Sequence, residues 1–122
     1  MNFPPDWPPD CPPDNATPAQ GEAYRLVKTK PPTADDFKTH HEKGTLRGAD
    51  ACLRCGLSLF RDKADAEHQY RAYPRLGKFI AKGTLESEDG VVKQTGKPTH
   101  TTWWPYEGVD RLAIFTDIEE IV

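Results

Sequence analysis

No apolar run in this chain approaches the length needed to cross a bilayer. The longest, such as Leu112 to Phe115, hold four residues, where about 20 are required, so no membrane partner is expected. The opening residues Met1-Asn2-Phe3-Pro4-Pro5 lack both a basic stretch and an apolar core. No secretory signal is therefore expected, and the expected compartment is the cytoplasm. The sequon Asn15-Ala16-Thr17 is then expected to stay unmodified. Charge of one sign is also missing, since 16 Lys+Arg stand against 19 Asp+Glu for a net charge of -3. That balance disfavours a broad phosphate-binding surface, and with it nucleic acid as a partner. No phosphate-cradling glycine loop precedes a helix, and Ser58 and Ser87 lie outside any Gly-x-Ser-x-Gly turn.

Cysteine is scarce, with three residues. An odd number without an export signal argues for free thiols or a metal site over a disulfide framework. Cys52-Leu53-Arg54-Cys55-Gly56 has the form of one zinc knuckle, and zinc is the one cofactor the sequence suggests. A second such pair is absent, so Cys11 and His40 or His41 complete four ligands only if the N-terminal segment folds back. A redox pair usually opens a helix, whereas this motif precedes an apparent strand. Two reduced cysteines packing as small hydrophobes are the simplest expectation.

Proline, in contrast, is concentrated. Seven of the 12 prolines precede residue 19, in the repeat Phe3-Pro-Pro-Asp6, Trp7-Pro-Pro-Asp10, Cys11-Pro-Pro-Asp14. Such a segment favours an extended polyproline course. Residues 1–21 are read as an arm: a strap over apolar surface, a ligand in which Phe3 and Trp7 anchor another protein, or a disordered segment. Residues 22–122 are read as a single domain, the size that one core supports.

Within that domain Tyr24 to Lys28 alternates at period two and reads as a strand. Thr33 is expected to cap a helix with Asp36 as its acidic partner, carrying Phe37, His40 and His41 and ending at Gly44. Leu57 to Phe60 reads as a strand, and Asp62 caps a second helix with Ala66, Tyr70 and Tyr73 on its inward stripe. Lys78 to Leu85, a hairpin at Asp89-Gly90 into Val91 to Lys93, Thr99 to Trp104 and Arg111 to Phe115 complete the strands. The tail from Asp117 to Val122 ends as a strand or a helical turn. The order β-α-β-α-β-β-β-β gives an α+β fold with a small, largely antiparallel sheet.

Two stretches suggest chemistry. In a strand, His100, Thr102 and Trp104 share one face, which suits a pocket wall that stacks a flat ligand and bonds its edge. The alternative is that the tryptophans fill the core and His100 is bonded in a loop. Arg25, inside the first strand, is either half of an ion pair or solvated, or holds an anionic ligand by two parallel hydrogen bonds. Tyr24-Arg25 on a first strand, with Gly56-Leu57-Ser58-Leu59-Phe60 before Asp62, resembles the ADP-ribosyltransferase fold group. The resemblance implies that Arg25 and Ser58 contact a dinucleotide. The group's catalytic glutamate has no counterpart, because Glu107 falls in a loop and Glu119 and Glu120 near the end. Two functions are thus expected in order: a non-catalytic binding or accessory module, then a nucleotide-binding enzyme with Arg25, Ser58, His100 and Trp104 about one cleft. A zinc-stabilised domain through Cys52 and Cys55 is compatible with either.

Overall fold

The computed structural model describes residues 1–96 and 99–122. Its strands are β1 (Thr17–Pro18), β2 (Gly21–Val27), β3 (Leu57–Phe60), β4 (Phe79–Leu85), β5 (Gly90–Gln94), β6 (His100–Pro105) and β7 (Asp117–Glu120). Helical segments are α1 (His40–Lys43), α2 (Ala51–Arg54), α3 (Lys63–Ala72) and α4 (Arg111–Ile114), with short 3-10 turns between them. All pairings are antiparallel, in the order β1-β5-β6-β3-β2-β4-β7. The α+β expectation and its antiparallel sheet hold.

That order forces the sheet to curl. β1 and β2 lie four positions apart, about 19 Å in a flat sheet, yet only Ala19 and Gln20 separate them in sequence. Three Cα steps reach at most about 11 Å, so the β1 end of the sheet bends back towards β2. Ala19 N bonds Gly90 O at 3.0 Å, while Gly21 pairs with Leu85 on the other side of the bend. The concave face encloses the core: Ala19, Ala23, Val27, Phe37, Leu57, Leu59, Ala81, Leu85, Val92, Trp103 and Phe115. Phe60, Ala66 and Ile80 form a second cluster beneath α3 on the convex face.

Four local expectations are corrected. Asp89-Gly90 does not turn a hairpin, because β4 pairs with β2 and β7 while β5 pairs with β1 and β6. The Glu86–Asp89 turn, closed by Asp89 N to Glu86 O at 2.9 Å, instead carries the chain across the curl. Arg111–Ile114 is a helical turn rather than a strand, since Asp110 Oδ1 accepts from Ala113 N at 3.2 Å. The helix expected from Thr33 to Gly44 is broken in two. Asp36 Oδ2 accepts from Thr33 N at 2.8 Å, and Thr39 restarts the chain with its own capping pair to Glu42. Tyr73 lies beyond the end of α3 and is 58% exposed, so the inward stripe stops at Tyr70.

Gly90 sits at the corner where β5 begins, at φ +132°, and a Cβ there would lie 2.1 Å from Trp104 O. The three nearest atoms, Trp104 O, Trp104 C and Pro105 Cα, are all backbone, so nothing yields easily. Gly90→Ala is expected to cost about 2–3 kcal/mol, read from the denaturant midpoint. An unchanged midpoint would show that the corner adapts.

The first sixteen residues run as turns, with Trp7 N to Pro4 O at 3.4 Å and Ala16 N to Pro13 O at 3.0 Å interrupting an extended course. They lie against the domain. Asp6 Oδ2 meets His41 Nε2 at 2.9 Å, Glu107 N donates to Asn2 O at 2.8 Å, and Cys11 is disulfide-bonded to Cys52. The expectation against a disulfide is therefore overturned. It rested on counting cysteines, and a count carries no information about which sulfurs meet in space.

Candidate functional site

The curled sheet separates the residues singled out from sequence. Arg25 shares its strand parity with Ala23 and Val27, both in the concave core, and its guanidinium lies 5.7 Å over the Phe37 ring. Its donors are committed to main chain: Nε to Asp36 O at 2.8 Å and Nη1 to Ser58 O at 2.9 Å. Burial pulls its pKa down to about 10, Asp36 opposing and Arg111 assisting. Arg25 thus ties the first 3-10 turn to β3.

Ser58, His100, Thr102 and Trp104 belong to the convex face. Ser58 pairs with Thr102, and Phe60 with His100, whose rings meet edge to face at 5.4 Å. Thr95 Oγ1 bridges His100 Nδ1 at 3.0 Å and Thr102 Oγ1 at 2.7 Å. Ser58 is exposed, whereas Thr102 is buried. Trp104 is fully buried and donates from Nε1 to Cys52 O at 2.9 Å, beneath α2. Its ring is covered and offers no face for stacking a ligand. Gly56 makes that fit achievable, since a Cβ there would lie 2.2 Å from Thr102 Cγ2. Thr102, His100 and Ser58 are therefore neighbours on one face, and Arg25 projects from the other.

The α2 turn carries Cys52 and Cys55 together, with Asp50 Oδ1 accepting from Cys52 N at 2.9 Å and Leu53 N at 3.0 Å. With Cys52 joined to Cys11, the thiolate that a zinc knuckle requires is not available from it. Among the described residues no group of three or more His, Cys, Asp or Glu side chains is arranged to hold a metal.

Sequence reasoning missed a cleft of about 540 Å³ between β4, α4 and the start of β7, lined by Lys82, Thr84, Glu86, Asp89, Ile114 and Asp117 among others. Lys82 is paired there with Glu22 at 3.2 Å. These residues come from four segments, and no local pattern links them. It also missed Thr95, which lies outside the Thr99–Trp104 pattern and meets it through the β5–β6 pairing.

A half-buried aromatic cluster joins the arm to the end of β6. Phe3 stacks on Trp7 at 5.2 Å and meets Tyr106 at 4.7 Å, and all three rings are half-buried. No family model matches the chain, and neither a curated protein nor a solved structure matches it.

Titration of the site follows from burial. Desolvation lowers both His40 and His100, the former helped by Lys43, Arg25 and Arg54. Keeping both imidazoles neutral contributes stability that is full above the unfolded value of 6.5 and is lost as pH falls through the folded values. Asp6 is lowered by its hydrogen bond to His41. Burial pushes Glu42 up, but bonds from Arg111 and Thr39 outweigh it and hold it low. Their contributions are lost in a second, more acidic window. The unfolding midpoint in urea is expected to fall between about pH 7.5 and pH 5.5, with a shallower fall for His100→Gln. A flat profile for the unmodified protein across that range would contradict the assignment.

Proposed function

We propose that this protein is a non-catalytic binding module that recognises another protein through Phe3, Trp7 and Tyr106. The observation that carries this reading is the Phe3 ring held between Trp7 and Tyr106, half-exposed, on an arm fixed covalently to the domain. Rings held in place before binding lose little freedom on contact, which favours affinity. Aromatic side chains also dominate the energetics of such surfaces.

The test compares crosslinked partners of the full-length protein with those of Phe3→Ala/Trp7→Ala, which leaves Cys11–Cys52 in place. A partner captured by the first and reduced at least about tenfold with the second is expected. Equal capture by both, with the melting temperature unchanged, would remove the arm as the binding element.

A second reading is a nucleotide-binding enzyme of ADP-ribosyltransferase type. It is favoured by one contact: the strands carrying Arg25 and Ser58 are neighbours, and Arg25 Nη1 bonds Ser58 O directly. This reading expects a nicotinamide dinucleotide to raise the melting temperature and Ser58→Ala or His100→Ala to remove the rise. No shift at millimolar nucleotide would sink it.

A further inference from the structure

We propose that Cys11, Cys52 and Cys55 form one thiol–disulfide exchange site, in which Cys55 displaces Cys11 from Cys52 and cuts the covalent link between the N-terminal arm and the domain. The proposal concerns sulfur chemistry and stands apart from the identity of any partner. Among the described residues Cys55 is the one free cysteine, and it is fully buried. It lies one helical turn beyond Cys52, with Cys55 N donating to Cys52 O at 3.0 Å. Residues three apart on a helix have Cα atoms about 5 Å apart, inside the span that a disulfide bridges. The Cys55 thiol points back along the turn to Ala51 O at 3.4 Å, beside Cys52. Trp104 Nε1 holds the Cys52 carbonyl from below.

The step balances without an outside reagent. Cys55 gives its proton to solvent, and its thiolate attacks Cys52 Sγ. The Cys52–Cys55 bond forms as Cys11–Cys52 breaks, and Cys11 leaves as a thiolate that takes up a proton. One disulfide is exchanged for another with no net oxidation or reduction. Released from Cys52, the arm keeps the Asp6–His41 contact, the Asn2–Glu107 bond and the Phe3–Tyr106 ring contact.

The surroundings of Cys55 hold the exchange back at neutral pH. Burial acts most strongly, Asp6 of the arm and Glu42 of α1 add to it, and Arg54 opposes; together they push the thiol up to about 11. His41 faces the same region through its bond to Asp6. Because the thiolate is the attacking species, the exchange rate follows its population.

The test incubates the oxidised full-length protein with iodoacetamide and no reductant, at about pH 7 and about pH 8.5, followed by peptide mapping. Alkylation traps whichever sulfur is set free. The expected result is alkylated Cys11 with a Cys52–Cys55 disulfide, accumulating about thirtyfold faster at the higher pH. Cys55→Ala, which retains Cys11–Cys52, is expected to show no alkylation. Cys55→Ser, whose hydroxyl keeps a donor for Ala51 O, serves the same purpose should the alanine variant fail to fold. Alkylated Cys55 beside an intact Cys11–Cys52 bond, no alkylation at either pH, or alkylated Cys11 in a Cys55 variant would each overturn the proposal.

Discussion

Cys11→Ser and Cys52→Ser are each expected to lower the unfolding free energy by about 4 kcal/mol. The bond spans a sequence separation of 41 residues, and opening a loop of that size returns substantial entropy to the unfolded chain. For a protein of this length the loss corresponds to a fall in melting temperature of roughly 12–20 °C. The two single variants should match each other and the double variant, because each removes the same cross-link. Urea unfolding under non-reducing conditions checks this. A loss below about 1 kcal/mol would mean that the unfolded chain is already compact about this loop.

Trp103→Ala is expected to cost about 3–5 kcal/mol. The indole is fully buried in the concave core, pairs across strands with Leu57 and Val92, and lies 5.9 Å from Phe115. Its Nε1 also donates to Asp89 O at 3.0 Å, fastening the turn that crosses the curl. Trp103→Phe should recover more than half of the loss, since the ring is partly restored while Asp89 O is left without its donor. Urea midpoints for the two variants separate packing from hydrogen bonding. Equal losses would place the hydrogen bond above the packing.

Period-two alternation located β3 and β6 well and the second half of β2, whose first three residues it missed, because each strand has one face on the concave core and the sequence records that parity directly. Asp62 marked the start of α3 for a similar reason: its side chain accepts from Ala64 N at 3.0 Å, a bond made within the local segment. The short run from Arg111 to Phe115 failed because five residues, four of them apolar, show no alternation and fit a strand or a single turn equally, and only the Asp110 cap decides. The curl was illegible, since it follows from which strands pair. For the candidate site, the common face of His100, Thr102 and Trp104 was readable within one strand. That Arg25 faces the opposite way was not, because relating two strands requires their register. The Cys11–Cys52 pairing had no sequence signal either, as spacing leaves every pairing of three cysteines open.

The two borders of the sheet have a consequence for contact between molecules. β1 offers two residues, one of them Pro18, which has no N–H to donate. β7 carries Asp117, Glu119 and Glu120, the last two paired with Lys63 and Lys78, so a like strand approaching it meets Asp117 and must displace those ion pairs. Short, proline-bearing and acidic borders are poor templates for a further strand. Copies of this chain therefore cannot extend the sheet from one molecule into the next without first displacing or neutralising these residues.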